Sequence, residues 1–250
     1  MHESGDLTGR VALITGGARR IGAEITDTLH GQGMNVVVHC RSSLAEAAEL
    51  VARLNAQRAD SASVLQLDLD ETDKLAGLVE EAADIWGRLD VLVNNASSFY
   101  PTPIGAITER DWDALMSSNL KAPLFLSQAA FPYLAKSNGC IVNMLDIHAL
   151  RPMRKHPVYC AAKAGLAMLT QSLAREMGPD VRVNGIAPGA ILWPEGEMSG
   201  ETQDRILERT ALKRMGEPAD IARAVLYLVR DAGYVTGHII PVDGGRSLNI

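Results

Sequence analysis

The chain is poor in aromatic residues and in cysteine, with three Phe, five Tyr, three Trp and three Cys among 250 residues. Cys40, Cys140 and Cys160 form no CxxC pair and sit in apolar runs, which suits small buried thiols better than a disulfide framework or a zinc site. The six histidines are scattered and include no HExxH. Asp68, Asp70, Glu71 and Asp73 lack the glycine and terminal Glu of a calcium loop, so they read as acids opening a helix and no metal is expected. No run approaches the roughly 18 apolar residues of a membrane span. Lys plus Arg number 24 against 30 Asp plus Glu, a net charge of −6, which disfavours a broad nucleic-acid or membrane-surface footprint. Any anionic ligand must therefore be held locally. Residues 1–6 carry neither a basic stretch nor an apolar core, so no secretory leader is read and the expected compartment is the cytoplasm.

What is present is a rhythm of short apolar, β-branched runs separated by longer stretches with helical spacing. The runs fall at 11–15, 35–39, 63–67, 90–94, 140–144, 181–186 and 238–242. The helical stretches fall at 21–30, 44–58, 74–86, 112–134, 158–177 and 220–230. Near-continuous apolar strands alternating with helices predict a parallel sheet covered on both faces. With no repeat, linker or composition break, the expected fold is α/β, one doubly wound domain over 1–250 with a seven-stranded parallel sheet.

Ligands of such a sheet lie beyond the carboxyl ends of its strands. After the first run stands Thr15-Gly16-Gly17-Ala18-Arg19-Arg20-Ile21-Gly22, whose helix-opening amides suit a pyrophosphate, although the same turn could be a plain strand-to-helix connection. Arg20 fills the middle glycine slot of the G-x-x-x-G-x-G spacing. After the second run, His39-Cys40-Arg41-Ser42-Ser43 offers no acid for a ribose 2′-hydroxyl. Arg41 and Ser42, with Arg19 or Arg20 across the turn, suit a 2′-phosphate instead, so the expected cofactor is NADPH.

Tyr159 and Lys163, four apart, share one helix face. A fixed cation there favours phenolate and is expected to lower the Tyr159 pKa from about 10 toward working pH. Joined to the glycine turn, to Asn94-Asn95-Ala96, to Asn119 and to Pro188-Gly189, the pair makes the chain resemble the short-chain dehydrogenase/reductase family over essentially its whole length. The resemblance implies a Rossmann-type domain, usually tetrameric, in which Tyr159 donates a proton, Lys163 holds the ribose and Asn119 supports a water relay to Lys163. It places Gly16, Arg19, Arg20, Ile21, Gly22, His39, Arg41, Ser42, Asp68, Leu69, Asn95, Ala96, Ser97, Tyr159, Lys163, Pro188 and Gly189 against the cofactor. A variable substrate loop is expected at about 190–215, including Trp193.

One departure redirects the substrate reading. Thirteen residues before the tyrosine, where the family ordinarily carries a serine, stands Asp146. A serine hydroxyl donates to a carbonyl oxygen, whereas a carboxylate accepts, which is the wrong sign for a ketone gathering negative charge. It suits a substrate presenting N–H groups, and a protonated Asp146 beside Tyr159 could hand a proton to a ring nitrogen. Asp146, Tyr159, Lys163, the arginine-bearing glycine turn and Asn94-Asn95-Ala96-Ser97-Ser98-Phe99-Tyr100-Pro101-Thr102-Pro103 resemble the pteridine reductases. That resemblance implies a pterin between the nicotinamide and Phe99, touched by Arg20, Ser97, Asp146 and Tyr159. The basic run Arg151-Pro152-Met153-Arg154-Lys155-His156 reads first as a solvated loop, and as the alternative it borders the substrate mouth and attracts an anionic folate tail. An ordinary carbonyl reductase acting on 3-oxoacyl thioesters, or a catalytically quiet NADPH-binding scaffold, remain the alternatives.

Overall fold

Seven short strands align in parallel because their apolar side chains have two cores to fill. In the computed structural model, which describes residues 5–192 and 200–249, they are β1 (Val11–Ile14), β2 (Asn35–Cys40), β3 (Ala62–Gln66), β4 (Val91–Asn94), β5 (Cys140–Met144), β6 (Arg182–Pro188) and β7 (Ile239–Val242). Their order across the sheet is β3-β2-β1-β4-β5-β6-β7, every neighbouring pair parallel. Successive strand residues face opposite sides of a sheet. In β1, Ala12 and Ile14 enter one core and Val11 and Leu13 the other. In β5, Cys140, Val142 and Met144 enter the first and Ile141 the second. The first core is closed by α1 (Arg20–Gly31), α2 (Leu44–Gln57) and α8 (Pro218–Arg230), the second by α3 (Leu75–Asp84), α5 (Ala122–Ser137) and the later turns of α6 (Pro157–Met177). The strand order reverses between β1 and β4, opening a crevice beyond their carboxyl ends.

The strands and helices lie where the sequence periodicity places them, with two corrections. The expected helix over 112–134 is two helices, α4 (Glu109–Met116) and α5, joined by a π-turn at Ser117–Lys121. The start is earlier because Thr108 and Asp111 form a reciprocal cap, the Thr108 hydroxyl accepting from the Asp111 amide and the Asp111 carboxylate accepting from the Thr108 amide. The π-turn widens the helix where Asn119 must turn inward, and Asn119 is fully buried. The second correction concerns the expected loop at 190–215. Part of it is a helix, α7 (Gly200–Glu208), none of whose residues is fully buried; Trp193 lies outside the described residues. No helix among the described residues is long and apolar enough to cross a membrane.

Candidate active site

The turn after β1 is shaped by what touches it. Gly16 has φ +60°, and a Cβ there would lie 3.1 Å from the Ala96 Cα. The Asn95 side-chain amide donates to the Thr15 and Gly16 carbonyls at 2.8 and 3.0 Å. The Thr15 hydroxyl accepts from the Asn95 and Ala96 amides at 2.9 and 3.0 Å. His39, expected at the cofactor, is 1% exposed and braces the same turn: its Nδ1 accepts from the Gly16 amide at 3.2 Å and its Nε2 faces the Leu67 carbonyl at 3.0 Å. Burial lowers its pKa, which keeps the ring in the neutral form this arrangement requires. Arg20 adopts φ +55°, the left-handed conformation that makes its slot a usual glycine position.

A groove of about 390 Å³ runs from this turn past Arg41, Ser42, Asp68 and Leu69 to Asn95, Ala96 and Ser97. It combines helix-opening amides at α1, which has no acid in its first turn, with the side chains of Arg19, Arg20, Arg41 and Ser42. These donors fit a dinucleotide carrying several phosphates. Arg19 also faces Glu46 at 3.8 Å, both about half exposed, a contact worth little in water. The groove continues past Ile21, Pro188 and Gly189 to Tyr159, Lys163 and Asp146.

Here the structure corrects one expectation. The Tyr159 hydroxyl donates to Asp146 Oδ2 at 2.8 Å, while Asp146 Oδ1 accepts from the His148 amide at 2.8 Å. Tyr159 is 4% exposed. Burial, then the Asp146 charge, push the phenol well above its ordinary value rather than toward working pH. Lys163 does not reverse this: its ammonium donates to the Met144 carbonyl at 2.8 Å and stands 5.8 Å from the centre of the tyrosine ring. The phenol is thus stored as a proton donor. Asn119 is tied elsewhere, its Oδ1 accepting from the Ser97 hydroxyl at 2.6 Å and its amide donating to the Ser98 and Leu115 carbonyls at 2.9 Å. It fixes the Ser97-Ser98 segment along the groove wall.

Burial lowers the Lys163 pKa to about 8, against an upward pull from Asp146. Between pH about 8 and 10.5 the unfolded chain holds a proton that native Lys163 has lost, so this group makes stability rise with pH across that window. The rise is on the order of 3 kcal/mol. Denaturant unfolding of the cofactor-free protein should show it, and Lys163→Met should flatten it and be the more stable chain below pH 8; parallel profiles would contradict the assignment.

Beside Tyr159 and Asp146 opens a cavity of about 230 Å³ whose wall includes Arg20, Phe99, Ile147, His148, Met153, Leu192, Ile206 and Arg246. Phe99 is 41% exposed at this wall. Its ring stacks on His156 at 4.7 Å and 7° and meets Tyr159 edge-on at 4.9 Å and 79°. The stack fixes the ring plane before any ligand arrives. From the basic run, Met153 reaches the cavity, whereas Arg154 and Lys155 are exposed and do not line it, in keeping with the reading of that run as a solvated loop. Sequence reasoning named His156 only as part of the basic run, not as the partner of Phe99, and missed Arg246. Arg246 had a signal, since it follows the carboxyl end of a strand as the other site residues do.

The family described as enoyl-(acyl carrier protein) reductase matches residues 16–247. Pteridine reductase 1 of Leishmania tarentolae is 36% identical, the alignment covering 96% of this chain and 97% of that protein. The 3-oxoacyl-[acyl-carrier-protein] reductase of Thermotoga maritima is 34% identical, covering 96% and 98%. A crystal structure of a protein described as a short-chain alcohol dehydrogenase from Sinorhizobium meliloti 1021 superposes with a TM-score of 0.91 at 36% identity, covering 98% of this chain and 99% of that one. The chain belongs to the short-chain dehydrogenase/reductase family. It is an oxidoreductase of the kind that uses a nicotinamide dinucleotide. Relatives named for different substrates stand at nearly equal identity, so the choice of substrate falls to the site.

Proposed function

We propose that the protein is an NADPH-dependent pteridine reductase that converts dihydropteridines, such as dihydrobiopterin, dihydromonapterin and dihydrofolate, to their tetrahydro forms, as a homotetramer in the cytoplasm. The observation that carries this reading is Asp146, whose carboxylate accepts the Tyr159 phenol at 2.8 Å and borders the cavity that Phe99 walls. An aminopyrimidinone ring offers N–H groups to such an acceptor and a flat face to Phe99. Arg41 and Ser42, with Arg19 or Arg20 across the turn, suit a 2′-phosphate at the groove rim.

When bound, the reduced nicotinamide supplies the hydride. Reduction of a C=N bond then needs one proton at nitrogen. Tyr159 holds that proton at its phenol oxygen, and Asp146 orients the O–H while accepting N–H groups of the ring. Lys163, buried beside the tyrosine, would hold the ribose, and Asn119 would feed a water relay to it. The amides of Ile21 and Gly22, with Arg19, Arg41 and Ser42, would bind the phosphates, and Pro188 and Gly189 would bound the nicotinamide end.

A carbonyl reductase of 3-oxoacyl thioesters is the second reading, favoured by the Thermotoga maritima relative. The test is NADPH oxidation, with NADH in parallel, against dihydrobiopterin, dihydromonapterin, dihydrofolate and a 3-oxoacyl thioester. Turnover with a dihydropteridine and a preference for NADPH are expected. Turnover with the thioester alone would overturn the pteridine reading.

A further inference from the structure

The chain after β7 turns abruptly into the substrate cavity. Gly244 and Gly245 both take left-handed conformations, with φ +62° and +78°. Asp243 then clamps the turn: its carboxylate accepts from the Gly245 amide at 2.9 Å and the Ser247 amide at 2.7 Å, and its carbonyl accepts from the Arg246 amide at 3.1 Å. Arg246 therefore leaves a rigid base and reaches a wall shared with Asp146 and Phe99. Its guanidinium donates to the Ile206 carbonyl of α7 at 3.2 Å, the one hydrogen bond its side chain makes among the described residues. A guanidinium carries five N–H donors in a planar fork matched to a carboxylate. Burial, then the neighbouring Arg209, lower its pKa while Asp146 and Asp243 pull it up, so the guanidinium stands between a second cation and two carboxylates and still has fork donors to offer a further acceptor.

We infer that Arg246 determines substrate specificity by binding a carboxylate borne on the substituent of the pteridine ring. This inference rests on the pteridine reading and adds to it a preferred substrate class, pteridines with an anionic tail.

The experiment compares dihydrofolate, which carries carboxylates, with dihydrobiopterin, whose side chain is neutral, at saturating NADPH in wild type, R246Q and R246K. In R246Q the KM for dihydrofolate should rise about 10-fold or more, with kcat and both constants for dihydrobiopterin within about twofold, and R246K should recover part of the loss. Equal KM increases or equal kcat losses for both substrates would show Arg246 to be a counter-charge for Asp146 and overturn the inference. So would wild-type turnover of dihydrobiopterin but not dihydrofolate. Wild-type turnover of the thioester and of neither pteridine would sink the pteridine reading itself and this inference with it.

Discussion

Replacing Asp146 with serine should lower kcat/KM for dihydrobiopterin by about 100- to 1000-fold while leaving the fold intact. Two losses combine. A charge-assisted hydrogen bond to a ring N–H contributes roughly 1.5–3 kcal/mol. The phenol also loses the acceptor that aims it, since Tyr159 donates to Asp146 Oδ2, and misplaced general acids forfeit part of their usual factor of about 10² to 10⁴. Asp146 lies at the head of a short helical turn, Ile147–Ala149, where its Oδ1 accepts the His148 amide. Serine can keep that cap, so stability should change by less than about 1 kcal/mol. Asp146→Asn keeps the shape without the charge and should fall nearly as far. Removing the carboxylate also removes the second-largest cause of the raised Tyr159 pKa, so the alkaline limb of any residual activity should move to lower pH. Undiminished pteridine turnover in Asp146→Ser would refute the role assigned to this residue.

Gly22→Ala should weaken cofactor binding by about 100-fold or more and cost about 1–3 kcal/mol of stability or more. A Cβ at Gly22 would sit 2.1 Å from the Gly16 carbonyl oxygen and 2.6 Å from Asn95 Nδ2. Neither can withdraw: that oxygen is bonded by Asn95, and the Gly16 amide is bonded to buried His39. The turn itself must move, and overpacking of this kind typically costs about 1–3 kcal/mol, more when backbone is displaced. For a chain of this size each kcal/mol lowers Tm by about 2–4 °C. The displaced turn is also the floor of the dinucleotide groove, so the Kd for NADPH should rise at least about 100-fold. Gly31→Ala, where nothing lies within 4 Å of the added Cβ, is the control and should change stability by about 1 kcal/mol or less. Thermal unfolding and a fluorescence titration of NADPH measure both effects; similar behaviour of the two variants would refute the steric account.

The elements were legible in the sequence because a parallel strand buried on both faces must be apolar throughout, and Val36, Val37 and Val38 satisfy that in three consecutive residues. Site residues within a few positions of a strand's carboxyl end were legible for the same reason, since topology places them in one crevice. The join between α4 and α5 was not, because Asn119 looks like any helical residue until a π-turn directs its amide to Ser98 and Leu115.

By itself the sequence determined the strand order's ingredients, the glycine turn, the Tyr159–Lys163 spacing and the substitution of Asp146, all of which depend on local periodicity or on residue chemistry. Only the tertiary structure decided the direction of the Tyr159 pKa and the company Phe99 keeps. Spacing along a helix brings Lys163 within a turn of Tyr159, but it does not reveal that the Met144 carbonyl takes the ammonium or that the phenol finds Asp146 from another element. Nor does it reveal that Arg246, 100 residues after Asp146, shares its cavity. Charges act through distance and burial, and both are set by the packing of elements remote in the chain.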